Sequence, residues 1–165
     1  MKTTLRLLGL ILLVSLLSCD PARKSGATLK DDGVIEIVFL QMNDVYEISP
    51  SSDKKGGLAK VAALRKSLLA KNPNTFTVLA GDFISPSVLG TLKHDGKRIR
   101  GKHMVETLNA LGLDWVVLGN HEFDYDMEDL QARIDESRFT WLAGNARQKS
   151  GDQVMPFSKN IAGGG

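Results

Sequence analysis

The sequence predicts an α/β fold in which helices flank a mainly parallel or mixed β-sheet. Apolar, β-branched segments of strand length alternate along the chain with segments of helical periodicity. The strand segments are almost continuously apolar, which is typical of strands that are buried on both sides. We therefore expect both faces of the sheet to be covered.

Four strands and three helices are predicted after residue 33. The strands are expected over residues 34–44, 75–82, 114–124 and 140–145. The helices are expected over residues 56–72, 101–112 and 126–138. The last of these helices begins with acidic residues, which favour the positive end of the helix dipole.

Helical spacing predicts which side chains of the first two helices face the core. In the first helix the predicted inward residues are Leu58, Val61, Leu64 and Leu68. In the second helix they are Met104, Val105, Leu108 and Leu111. Gly112 is expected to end the second helix, because glycine adopts the left-handed conformation common at helix ends.

The N-terminal segment is predicted to be a signal rather than part of the fold. A basic start precedes an apolar run at residues 7–17, which is too short for an ordinary membrane-spanning helix. Residues 1–19 resemble a bacterial lipoprotein signal whose Cys19, the sole cysteine, becomes lipidated. The alternative is a plain secretory signal with a chance cysteine. Residues 20–33 are polar and contain Pro, Gly and Ser, as a tether would.

The charge balance argues against a nucleic-acid partner. The formal net charge is +2, but Lys2 and Arg6 belong to the predicted signal, and every acidic residue lies at position 20 or later. Residues 20–165 are therefore neutral overall and carry no basic field of the kind that attracts nucleic acid. No protein partner is predicted either.

Three of the four predicted strands end in a residue that can bind a metal ion. These residues are Asp44, Asp82 and Asn120. Because ligands bind beyond the carboxyl ends of strands in open α/β sheets, we expect the three to meet at one edge. Taken singly, each has an ordinary alternative: a helix cap for either aspartate and a turn residue for the asparagine.

His121 and Asp124 follow Asn120 directly. An imidazolium beside bound cations stabilises charge on a transferring phosphoryl group or protonates a leaving oxygen. Asp124 lies three residues later, where its carboxylate can accept the other ring N–H and select the tautomer. The alternative for His121 is a solvated loop residue.

Four stretches carry a resemblance to a known family. They are GNHEFD (119–124), AGDFISPS (80–87), ND (43–44) and GGLAKVAALRK (56–66). In this order they resemble the N-terminal part of the calcineurin-like metallophosphoesterases, and among these the exported 5'-nucleotidase/UDP-sugar hydrolase family. The resemblance implies the layered fold of that family, with Asp44 on a first metal, Asp82 bridging, and Asn120 on a second. It implies a catalytic dyad of His121 and Asp124.

The resemblance also implies a substrate, cofactors and a location. The expected substrate is a nucleotide or another phosphate ester, and the expected cofactors are two divalent metal ions (Zn, Mn, Mg, Co or Ca). Together with the N-terminal signal, it predicts an exported protein with a lipid anchor on the periplasmic or cell-surface side of a bacterial membrane.

Two departures from the family pattern qualify these expectations. Tyr46 stands where the family has the histidine of an Asp-x-His motif, and it binds as a phenolate, bonds a metal-bound water, or has no role. The family's later histidine motifs have no counterpart, since the histidines are His94, His103 and His121. Residues 34–165 are therefore predicted to be the first part of an incomplete metallophosphoesterase domain, without the C-terminal substrate domain and with little activity alone.

Three functions follow as hypotheses. The leading one is a metal-dependent phosphomonoesterase of the 5'-nucleotidase type. A second is a cyclic-nucleotide phosphodiesterase or a nucleotide-sugar pyrophosphatase. A third, from a different class, is a non-catalytic surface lipoprotein that keeps the fold, and Tyr46 favours it.

Overall fold

A computed structural model describes residues 33–159. Within them the strands are β1 (Val38–Met42), β2 (Thr75–Leu79), β3 (Lys93–His94), β4 (Lys97–Arg98), β5 (Trp115–Val117), β6 (Thr140–Leu142), β7 (Gln148–Ser150) and β8 (Gln153–Met155). The main sheet has the order β1-β2-β5-β6, and each neighbouring pair is parallel. The predicted α/β fold with a parallel sheet is confirmed.

The helices connect the strands of the main sheet. They are α1 (Leu58–Lys71), α2 (Val88–Thr91), α3 (Lys102–Leu111) and α4 (Met127–Glu136), with a short 3-10 helix at His121–Phe123. Asp126 caps α4 by accepting a hydrogen bond from the Asp129 N–H, and Glu128 lies in the same first turn. The predicted acidic start of this helix is therefore present.

One apolar cluster joins α1, α3 and α4 to the same face of the sheet. All four predicted inward residues of α3 are buried, and Gly112 ends the helix in the left-handed conformation. The prediction for α1 was wrong at one position, because Leu64 is 49% exposed. Arg65 occupies the inward direction instead, where its Nε donates to Thr77 Oγ1 at 3.1 Å. A charged group is accepted there because the sheet offers it a polar partner.

Within residues 33–159 the described helices leave the other face of the sheet uncovered, so coverage of both faces stays a prediction for this fold. Phe39 is 61% exposed and Leu142 48%, and both belong to this face by the two-residue period of their strands. The Phe76 ring stacks on Trp115 at a centroid distance of 4.8 Å. The strands are apolar on both sides, as predicted, but within residues 33–159 only one side has a partner layer.

The strands are shorter than the sequence predicts, most clearly at residues 114–124. There β5 ends at Val117, and the chain then enters the 3-10 helix at His121. The hairpins β3–β4 and β7–β8 were not predicted, because each of their strands has only two or three residues.

Several predictions fall on residues outside the described range. The signal at residues 1–19, lipidation of Cys19 and nearly all of the tether at residues 20–33 belong to this group. Among residues 33–159, every helix is too short or too polar to cross a lipid bilayer.

Candidate active site

The carboxyl ends of β1, β2 and β5 lie together at one edge of the main sheet. The Ala80 N–H donates to the Met42 carbonyl at 2.8 Å, and the Asp44 N–H donates to the Gly81 carbonyl at 3.3 Å. These bonds continue the pairing of β1 with β2 past their last strand residues. The segments that follow the two strands, and so Asp44 and Asp82, are therefore held side by side.

Gly81 and Gly119 allow the loops after β2 and β5 to touch through their backbones. A Cβ atom on Gly81 would lie 2.5 Å from the Gly119 nitrogen, and one on Gly119 would lie 2.2 Å from Asp82 Oδ1. Gly81 also has a φ of +84°, a conformation that favours glycine. Only glycine fits at either position.

Asp82 connects the two loops directly. Its Oδ1 accepts a hydrogen bond from the His121 backbone N–H at 2.8 Å. Asp82 has a φ of +58° and Asp44 a φ of +53°. Non-glycine residues in the left-handed region cost free energy and concentrate at functional sites. The two aspartates therefore share an unfavourable backbone conformation at the same edge of the sheet.

Asp44 is surrounded by hydrogen-bond donors. Asn43 Nδ2 donates to Oδ2 at 2.6 Å and Tyr46 Oη donates to Oδ1 at 3.0 Å. These two bonds hold the pKa of Asp44 below its usual value. Burial and the bond to Asp44 raise the pKa of Tyr46 to about 12, so in this arrangement Tyr46 is a neutral phenol at neutral pH. Its ring meets the His121 ring edge-on at 6.0 Å.

His121, Asp124 and Ser85 form a hydrogen-bonded chain. His121 Nδ1 lies 2.8 Å from Asp124 Oδ2, and the same oxygen accepts from Ser85 Oγ at 2.8 Å. The bond to Asp124 raises the pKa of His121, while His121 and then Ser85 lower the pKa of Asp124. An ionised Asp124 can only accept, so Nδ1 carries the proton and Nε2 is the ring nitrogen left for chemistry.

We expect Asp124→Asn to lower the pKa of His121 in metal-free protein. The substitution removes the negative partner that favours the imidazolium, so the imidazole loses its proton at lower pH. An NMR titration of the His121 ring measures this change. Asp95→Asn on the exposed β3–β4 turn is the matched control and should leave the His121 titration unchanged. An unchanged His121 pKa in Asp124→Asn would contradict the dyad.

Asn120 lies in the loop after β5. It precedes the 3-10 helix without capping it through its side chain, and it is exposed. Its backbone carbonyl accepts from the Phe123 N–H at 3.2 Å. The Asn120 side chain therefore does not cap the turn, as an asparagine in this position often does.

The model of the family described as calcineurin-like phosphoesterase matches residues 37–163, which are most of the chain. This chain belongs to the calcineurin-like phosphoesterase family. The family predicted from the sequence is confirmed, and the four resemblance motifs all lie inside the matched region.

Relatives of this phosphoesterase support the same assignment. It is 28% identical to human 5'-nucleotidase over 143 residues, which are 79% of the chain and 23% of that protein. It is 30% identical to the 2',3'-cyclic-nucleotide 2'-phosphodiesterase/3'-nucleotidase of Yersinia enterocolitica, over 85% of the chain and 22% of that protein. The chain thus spans less than a quarter of the length of either relative.

A solved structure shares the fold of this phosphoesterase. The 5'-nucleotidase precursor from Thermus thermophilus superposes with a TM-score of 0.56 at 22% identity. The superposition covers 72% of this chain and 27% of the other. At 22% identity this superposition shows a shared fold and nothing about function.

Calcineurin-like phosphoesterases generally use divalent metals, and the oxygen donors at the sheet edge suit such ions in type. They do not suffice in number. Within residues 33–159 no three His, Cys, Asp or Glu side chains form a group that would hold a metal. Asp44, Asp82 and Asn120 offer part of a coordination shell, and the metal roles predicted for them and for Tyr46 stay predictions.

The sequence reasoning missed two residues that organise this edge, Glu122 and Ser85. Glu122 is fully buried, and each of its carboxylate oxygens accepts backbone N–H groups. Ser85 is buried and bonds the dyad. Glu122 lies within GNHEFD, but two of its donors, Asp82 and Phe83, are about 40 residues away, so the motif alone does not indicate its role. Ser85 has no comparable sequence signal.

Two clefts border the sheet edge. One, of about 620 Å³, is lined by Asp44, Tyr46 and Glu47 among others. The other, of about 540 Å³, is lined by Glu47, Ser85 and Asp124 among others. A larger cavity of about 830 Å³ lies between the β3–β4 hairpin and α4 and is lined by none of the predicted site residues. We place the candidate site at the sheet edge because the chemistry-bearing groups are there.

Proposed function

We propose that this chain is the first part of a metal-dependent hydrolase of nucleotide phosphate esters, a phosphomonoesterase of the 5'-nucleotidase type. The single observation that carries this proposal is the His121–Asp124 dyad placed against Asp82 at the carboxyl edge of the sheet. The name of the human relative supports nucleotides as the substrate class.

The described residues suggest how the reaction proceeds. Hydrolysis adds water at phosphorus and breaks the bond from phosphorus to the leaving oxygen. His121 would donate a proton from Nε2 to that oxygen, while Asp124 holds Nδ1–H and stabilises the imidazolium. Ser85 bonds Asp124 and thereby limits the movement of the dyad. The Tyr46 hydroxyl orients the carboxylate of Asp44.

Two divalent ions, when bound, would supply an activated water and neutralise charge on the phosphate. Asp44, Asp82 and Asn120 would hold them in part. We propose that polypeptide outside this chain, in a longer form of the same protein, supplies the remaining ligands and covers the open sheet face. The exposed Phe39 and Leu142 support this, as does the short span of the chain on its relatives.

The experiment compares residues 20–165 with a longer product of the same gene, read past Gly165. We expect the longer protein to release phosphate from AMP when Mn²⁺ or Zn²⁺ is present and to stop when EDTA removes the metal. Residues 20–165 should release little or none. A longer protein that hydrolyses no nucleotide ester with any added divalent metal would end the proposal. Robust turnover by residues 20–165 would end the claim of an incomplete site.

A second candidate function is a cyclic-nucleotide phosphodiesterase or a nucleotide-sugar pyrophosphatase. The name of the Yersinia enterocolitica relative favours the first of these. Both reactions use the same edge and differ in the leaving group. Adding 2',3'-cyclic AMP and a UDP-sugar to the assay separates the three activities by their products.

A third candidate is a non-catalytic surface lipoprotein that retains the fold. Tyr46 favours this candidate, because it stands where the family has a histidine and its hydroxyl bonds Asp44. Metal analysis of the longer protein distinguishes this non-catalytic candidate from an enzyme. Two bound equivalents support the enzyme, and none supports a binding or structural role.

We further propose that the protein is exported and anchored through lipidated Cys19. The basic and apolar N-terminal segment supports this. Full-length protein expressed in a bacterium should partition with membranes and carry acyl mass on Cys19, whereas Cys19→Ala should be soluble in the periplasm or medium. Membrane retention of Cys19→Ala with no acyl mass on the wild type would contradict lipidation.

A further inference from the structure

Glu122 carries a buried carboxylate that the proposed reaction does not use. Its side chain is fully buried although it lies between the half-exposed His121 and the exposed Phe123. Within residues 33–159 no lysine or arginine forms an ion pair with it. A carboxylate removed from water without a cation is costly unless several donors satisfy it.

The donors of Glu122 come from two different loops. Oε2 accepts from the Asp82 N–H at 2.8 Å and from the Gly119 N–H at 2.7 Å. Oε1 accepts from the Phe83 N–H at 2.9 Å, with the Ile84 N–H at a longer 3.4 Å. One carboxylate therefore joins three consecutive amides after β2 to one amide after β5.

These contacts determine where the groups of the site lie. Asp82 and Gly119 donate to the same oxygen, so the start of each loop is held at a common point. Asp82 Oδ1 in turn accepts a hydrogen bond from the His121 backbone N–H. At its far end the same β2 loop reaches Asp124 through Ser85. The β2 loop is thus bound at both ends to the segment that carries the dyad.

We infer that Glu122 is a positioning residue that clasps the loops after β2 and β5, so that Asp82 and the His121–Asp124 dyad act together on one phosphate. This inference rests on the proposed function. Both carboxylate oxygens are needed, because each one accepts from backbone donors. Glutamine has the same shape but turns one oxygen into an NH₂ group, which would face N–H donors and break the clasp.

The test introduces Glu122→Gln into two proteins, the chain of 165 residues and the longer active form proposed above. Hydrogen–deuterium exchange of the metal-free protein should become faster by about tenfold at residues 80–86 and 117–124, because a backbone bond to a charged acceptor is lost. Exchange in α4 should stay the same. In the active form, kcat should fall by about 10²-fold with little change in KM, because misaligned groups act on the transition state.

Controls separate positioning from loss of folding. Glu106→Gln, on the exposed side of α3, should change neither exchange nor kcat. Activity is measured well below the melting temperature of each variant, with circular dichroism to establish folding. If Glu122→Gln does not fold, Glu122→Asp takes its place, since it keeps the charge while shortening the reach, and the same pattern is expected.

The outcomes are distinct. Unchanged exchange at residues 80–86 and 117–124 overturns the clasp. Faster exchange with a wild-type kcat overturns its role in positioning. If the longer form is inactive without any substitution, the proposed function is overturned, and with it the catalytic purpose of the clasp, while the exchange data still report whether Glu122 holds the two loops.

Discussion

Gly81→Ala is expected to destabilise the protein by about 3 kcal/mol or more, the largest stability effect we predict from one methyl group. Its Cβ would lie 2.5 Å from the Gly119 nitrogen, which is backbone and cannot rotate away. The residue would also keep a φ of +84°, which is unfavourable for alanine. Urea unfolding followed by circular dichroism measures the loss.

Gly144→Ala is the matched control for this experiment. A Cβ at Gly144 meets no atom within 4 Å, and the backbone there is outside the left-handed region. We expect a change within about 0.5 kcal/mol. If Gly81→Ala unfolds at the same urea concentration as Gly144→Ala, the two loops do not touch as described.

His121→Ala and Asp82→Ala are expected to separate turnover from metal binding in the longer active form. His121→Ala should lower kcat by about 10²- to 10⁴-fold and leave bound metal nearly unchanged, because it removes a proton donor. Asp82→Ala should remove metal as well as activity, because the carboxylate is the proposed bridge. Phosphate release and metal content are measured on the same preparations.

The control for these variants is His94→Ala. His94 lies on the exposed β3–β4 hairpin and lines none of the clefts at the sheet edge. Its loss should change neither turnover nor metal content. If His121→Ala and Asp82→Ala lose metal to the same extent, the division of roles between them is wrong.

Much of the site was predictable because its residues follow strands. Asp44, Asp82 and Asn120 are recognisable in sequence since each comes after an apolar run, and parallel strands bring their carboxyl ends to one edge. His121 and Asp124 are three residues apart on one turn, so their pairing is local. Glu122 could not be assigned a role in this way, because its partners at 82–84 are 38–40 residues away in sequence.

The sequence by itself determined the α/β class, the family and the order of the elements, because these depend on local periodicity and short motifs. Tertiary structure alone decided that the elements of residues 33–159 leave one sheet face open, that Arg65 rather than Leu64 points inward, and that Glu122 joins two loops. The physical reason is the same in each case. Burial and hydrogen bonding depend on what a distant part of the chain places opposite a side chain, and local sequence carries no record of that partner.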